Sequence, residues 1–190
     1  MANMETFYKA LMASEDVKSY LGSTKFQDAA GEYADIHDGA LVVLGDLAIN
    51  NAYGADVKDD NVYLSKAPTA DTDPVVIVDV SEVSQGIIAG NNYKIGIKAV
   101  GLKQMAGFPA RYRVPMKHDR FWISGDNFVS DPTIGKFAIP TANDTKLTPS
   151  DEDASATKFC VKIIDKRDFT VGNGLAGAGR TGNLYLCKVL

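Results

Sequence analysis

The residues able to do chemistry are few, and spacing decides what each is worth. Gly172, Gly174 and Gly177 spell G-x-G-x-x-G, the pattern of a turn that cradles a pyrophosphate. That use needs a helix opening at the glycines and a second strand with an acid about 20 residues on, whereas a strand is expected soon after Gly177. A phosphate loop would also follow its last glycine with lysine, and Gly179 is followed by Arg180 and Thr181. Ser155 and Lys158 match S-x-x-K, but that acylation pair works one helical turn apart, and here it straddles an acidic loop and a strand. His37-Asp38 and His118-Asp119 contain both histidines, each beside an acid of the kind a metal or a base-and-orienter pair uses. Neighbours on a strand point to opposite faces, so neither pair is a ready-made dyad. Cys160 and Cys187 fall in expected late strands with nothing to favour a thiolate, which predicts buried free thiols. Two acidic clusters, Asp56/Asp59/Asp60/Asn61 and Asp151/Glu152/Asp153, lack the spacing of a regular calcium loop. The expectation is no catalytic residue, no cofactor and no metal. A hydrolytic site assembled from His118, Asp119 and Asp126 stays open as an alternative.

The densest stretch of interest is basic and aromatic: Arg111, Tyr112, Arg113, Lys117, His118, Arg120, Phe121, Trp122. Interleaved bases and rings suit single-stranded nucleic acid on a β-barrel. Residues 1–93, however, carry fifteen acids against five bases, and the formal net charge is −4. A free nucleic-acid binder has an overall basic footprint, so no direct nucleic-acid partner is expected. Residues 94–120 hold seven bases against Asp119 alone. An acidic first half and a basic middle attract each other, or complementary patches on neighbouring copies. Arg111, Arg113, Lys117 and Arg120 are the candidate contacts.

These residues need a scaffold. A chain of 190 residues buries about 70% of its extended surface on folding, enough for one full core. Hydrophobic residues are 45% and charged residues 23%, ordinary for a soluble globular domain. No run reaches the roughly 20 apolar residues of a membrane helix, so no membrane partner is expected. The opening MANMETFYKALMASEDVK lacks the basic start and apolar core of a secretion signal, and two cysteines make no disulfide scaffold, which predicts synthesis inside a cell.

Met4, Phe7, Tyr8, Leu11 and Met12 follow the i, i+3, i+4 spacing of a helix face. Val17, Tyr20 and Leu21 repeat it on a different side, with Ser14 as a cap and Gly22 as a stop. The spacing predicts a kinked arm of two short helices and a polar link over residues 1–38. That arm is too short to fold alone, so its apolar stripe is a second candidate contact, onto a partner or onto its own domain. From 39 to 190, short runs rich in valine, isoleucine and aromatics alternate with Gly, Asn, Asp and Pro. They fall at 40–44, 61–67, 74–80, 93–102, 110–116, 120–124, 135–140, 158–165 and 184–190. The fold class expected is mainly β, a small β-barrel or sandwich of about eight to nine short strands with a short helical N-terminal arm.

The segments GALVVLGDLA (39–48), PVVIVDVSEV (74–83) and GFPARYRVPMKHDRFWISGDNF (107–128), with the closing VGNGLAGAGRTGNLYLCKVL, resemble bacteriophage capsid decoration (cement) and auxiliary head proteins. The resemblance covers residues 39–190 and is one of style. It implies a non-enzymatic structural protein, made in the host cytoplasm and carried in the virion. Its implied partner is the shell of the major capsid protein or other virion subunits, which it binds as a homo-oligomer. A neck, connector or tail protein of the same virion is the nearest alternative. A carbohydrate- or surface-binding β-module using Trp122, Tyr53 or Tyr63 is another.

Overall fold

The computed structural model describes residues 4–49, 57–80, 86–88, 91–93, 102–171 and 180–190. Among them the chain is mainly β. The strands in order are β1 (Phe7–Leu11), β2 (Leu21–Phe26), β3 (Ile36–His37), β4 (Leu41–Ile49), β5 (Lys58–Lys66), β6 (Val76–Asp79), β7 (Gly86–Ile88), β8 (Asn91–Tyr93), β9 (Lys103–Gln104), β10 (Ala110–Arg113), β11 (Arg120–Ser124), β12 (Phe137–Pro140), β13 (Leu147–Ser150), β14 (Val161–Val171) and β15 (Arg180–Val189). They form a six-stranded sheet in the order β1-β11-β15-β14-β12-β13 and a closed ring β10-β2-β5-β4-β6. Two ribbons, β3-β9 and β7-β8, complete the pairing. The β2–β5 pair is parallel, and the other ladders are antiparallel.

Two strands are shared by two cores. On β4 and β6, Leu41 and Ile77 lie opposite each other and, with Val75, face the inner side of the six-stranded sheet. Val42, Val76 and Val78 point the other way, into the ring with Ile36, Ala40, Ala110 and Tyr112. Burial on both faces explains why 74–78 reads as continuous apolar sequence rather than alternation. The sheet's inner side supplies Phe121, Ile123, Val161, Ile163, Tyr185, Cys187 and Val189. Phe7 and Phe121 meet at 5.4 Å, and Phe128 meets Tyr185 edge-on at 5.6 Å.

The helical N-terminal arm is corrected. Residues 7–11 form an edge strand paired to β11, and the next turns are single-turn 3-10 helices over Ala13–Glu15 and Lys18–Tyr20. Five apolar residues spaced 4, 7, 8, 11 and 12 fit either period over so short a length, and a waiting sheet edge decides between them. Phe7 and Met12 end in the core. Residues 4–38 are woven through the whole molecule, giving β1 to the sheet, β2 to the ring and β3 to the β9 ribbon. Gly22 stops no helix: it lies in β2 opposite Tyr112, whose ring crosses it so closely that a Cβ there would collide with the phenol oxygen. The strand expected at 93–102 falls largely outside the described residues, and Gly172, Gly174, Gly177, Tyr53, Asp56 and two of the bases of 94–120, Lys94 and Lys98, fall outside them.

Candidate functional site

Most groups with chemical potential are consumed by the scaffold. Arg113 extends from β10 away from Tyr112 and the ring interior, toward the N-terminal turns, and is 2% exposed. Its Nε donates to Asp79 Oδ2 at 2.7 Å, and its Nη1 donates to Ser14 Oγ at 2.9 Å and Glu15 Oε1 at 2.6 Å. Ser14, expected as a helix cap, is an acceptor for this guanidinium. The Lys9 ammonium, followed by Arg113, holds the Glu15 carboxyl below its ordinary pKa. The basic middle and the acidic first half therefore meet inside one chain at this point.

Asp38 is fully buried and ties the two β units together. Its Oδ2 accepts the Phe7 N–H at 2.8 Å, and its Oδ1 accepts the Val80 N–H at 2.9 Å. The Asn127 amide donates to its carbonyl at 2.9 Å. Gly39, at φ +80°, leaves room beside that amide; a Cβ would come within 2.9 Å of its nitrogen. His37 faces elsewhere, 3.7 Å from Glu5, which also lies 3.4 Å from Lys146. Asp119 is buried and accepts the N–H groups of Ala13 and Met116, both at 2.8 Å. Asp126 accepts the Met4 N–H at 2.8 Å. His118 and Asp126 flank opposite ends of β11, roughly 15 Å of strand apart. The structure does not bring His118, Asp119 and Asp126 together. Burial raises the thiol pKa of both Cys160 and Cys187, as expected of inert core cysteines.

What remains outward is the outer face of the six-stranded sheet. One row runs Leu11–Arg120–Lys188–Lys162–Phe137 across β1, β11, β15, β14 and β12. The next runs Tyr8–Trp122–Leu186–Asp165. The Arg167 guanidinium stacks over the Trp122 ring at 4.2 Å, and the Lys162 ammonium lies 5.9 Å from the Phe137 ring centre. Leu11 is 56% exposed. Lys117 sits in the turn before β11, exposed, and together with Lys162 adds to the Ser155 hydrogen bonds that lower the Asp153 pKa. Arg111 is largely exposed on β10, 4.0 Å from Asp79.

Of the candidate contacts, Arg120, Leu11, Tyr8 and, at its border, Lys117 are gathered at this face. Met4 is half-buried, while Phe7, Met12 and Arg113 are interior. Lys162, Lys188 and Arg167 were not singled out from sequence. The one signal for them was the alternation that turns Lys162 away from Val161 and Ile163.

A second surface lies on the ring. Two adjoining clefts, about 520 and 370 Å³, share Gln27, Lys66, Ala67 and Thr69. Asp28, Asp35 and Asp144 line the larger, and Asp46 and Asp73 the smaller. No helix among the described residues is long and apolar enough to cross a membrane, and no group of three or more metal-ligating side chains occurs among them. No family model, curated protein or solved structure matches the chain.

Proposed function

We propose that this chain is a non-enzymatic structural protein of a bacteriophage virion that binds and stabilises the assembled capsid, as a decoration or cement protein does. The observation that carries the reading is the outer face of the six-stranded sheet: four cations beside Trp122, Tyr8 and Leu11, while Arg113, Asp38, Asp119 and both cysteines serve the scaffold. The closed ring acts in this reading as a barrel-like rigid body that holds the face in place. The resemblance of residues 39–190 to phage head proteins supplies the class of partner, the shell of the major capsid protein and its associated subunits. Such a protein needs no chemistry. Binding only the assembled state stabilises that state by mass action, and several modest contacts made by one oligomer compound through effective concentration. Synthesis in the host cytoplasm and residence in the virion follow from this reading.

The test is co-sedimentation of the full chain with shells assembled from the capsid protein of the same genome. Deleting the N-terminal segment is a poor probe, because β1 and Arg113's partners would go with it. Arg120→Glu with Lys188→Glu leaves the core intact and should weaken shell binding at least tenfold. Failure to bind such shells at any ratio, or binding that ignores these substitutions, would overturn the reading.

A further inference from the structure

The cationic row has its complement on the same chain. Arg120, Lys188 and Lys162 stand directly opposite one another across β11, β15 and β14, and like charges so placed destabilise an isolated sheet. Among the described residues none of the three, nor Arg167, has a carboxylate within ion-pair distance. The groove on the ring is the opposite case. Asp28, Asp35, Asp46, Asp73 and Asp144 line it against Lys66, and among the described residues only Asp35 of these is paired to a lysine, Lys103. Apolar surface accompanies the charge on both sides, Leu11 and Trp122 on the face and Phe26 and Ile36 in the groove.

The two surfaces cannot meet within one copy. The outer face looks away from the core cluster that separates its sheet from β4 and β6 of the ring. The geometry points to a heterologous contact between copies of this chain, in which the outer face of one copy's six-stranded sheet seats on the acidic groove of the next. This rests on the assembly reading above, in which the shell-bound protein is an oligomer: the face joins neighbouring copies, and its loss weakens shell binding because the oligomer's compounded contacts are lost. A head-to-tail contact of this kind generates a ring where its rotation closes and a filament where it does not. Opposed charge steers the encounter and makes it sensitive to salt.

The experiment is sedimentation of the full chain without shells, across concentration, at about 20 mM and about 500 mM salt, where the Debye length falls from tens of ångströms to a few. The wild type should gain mass with concentration at low salt and lose it at high salt. Arg120→Glu with Lys188→Glu disables the face, and Asp46→Lys with Asp144→Lys disables the groove. Each should weaken self-association at least tenfold. Mixed in equal amounts, the two variants retain one working contact between them and should give a one-to-one dimer and nothing larger. A wild type that stays monomeric at low salt overturns the inference. So do variants that assemble like the wild type, or a mixture that gives no dimer. A monomer that binds an oligothymidylate through Arg120 overturns it in favour of nucleic acid. The two readings fail separately: a monomer that still binds shells through the face sinks this inference alone, and an assembling chain that ignores shells sinks the other.

Discussion

Arg113 and Arg120 lie seven residues apart in one basic stretch, and the fold gives them opposite fates. Arg113 is sealed at the junction of ring, sheet and N-terminal turns with three side-chain partners. Arg120 stands on the outer face with lysine beside it and, among the described residues, no acid within ion-pair distance. A charge taken out of water must be satisfied completely or it destabilises the fold. A charge left in water stabilises its own chain very little, and it stays available to something else. In this molecule the junction spends its charge on folding and the face keeps its charge for contact.

The sharpest way to break that contrast is to remove each guanidinium in turn. Arg113→Met takes the guanidinium away from Asp79, Ser14 and Glu15 in a buried setting and should cost about 3–5 kcal/mol. Arg120→Met should change stability by no more than about 0.5 kcal/mol. Urea unfolding of the two variants beside wild type reads both. Comparable losses would mean that the outer row is part of the scaffold after all.

A smaller effect should come from Gly22, which belongs wholly to the interior. The Tyr112 ring occupies the space of the missing side chain, so Gly22→Ala forces β2 and β10 apart or drives Tyr112 off its rotamer. Overpacking of this kind costs about 1–3 kcal/mol. Gly22→Ala combined with Tyr112→Leu should recover part of that loss, because the clash is with the ring. A double variant that recovers nothing would place the strain elsewhere in β2.

Much of this interior was legible in the sequence. β11 spans the five residues expected, 120–124, and β6, β10 and β12 fall inside their expected runs. The alternation of ARYRVPM (110–116) places Arg113 and Tyr112 on opposite faces of a strand, as β10 has them. It gave no sign that Arg113's side of the strand would be covered, because the covering residues, Ser14 and Glu15, lie about a hundred positions away. The arm failed for a related reason. Its apolar spacing fits a helix, and only the edge of β11 makes a strand the better solution. The basic row depends on the register of three strands distant in sequence, and no local pattern places Lys188 beside Arg120 and Lys162. The acidic groove is less legible still, since its carboxylates come from β4 and from three connections far apart in sequence.

The smallest effect sharpens the contrast at its boundary, where Glu15 touches both the exposed Lys9 and the buried Arg113. Lys9 first, and then Arg113, depress the Glu15 pKa below its ordinary value of about 4.5. A carboxyl depressed in the folded state contributes stability that is present above its unfolded pKa and lost as pH falls through the folded one. Glu15 is partly exposed, so solvent screening keeps the contribution below about 1 kcal/mol. Asp35, held down by Lys103, and Asp73, held down by the Ala70 and Thr69 N–H groups and the Thr69 hydroxyl, add the same sense of pH dependence in both proteins. The difference between wild type and Glu15→Gln isolates the one group. It should be largest above about pH 5 and shrink toward zero as the medium becomes more acidic and wild-type Glu15 takes up its proton. Denaturant unfolding at stepped pH measures that difference, and a gap that stays constant down to strong acid would mean that Glu15 holds the turn by shape rather than by charge.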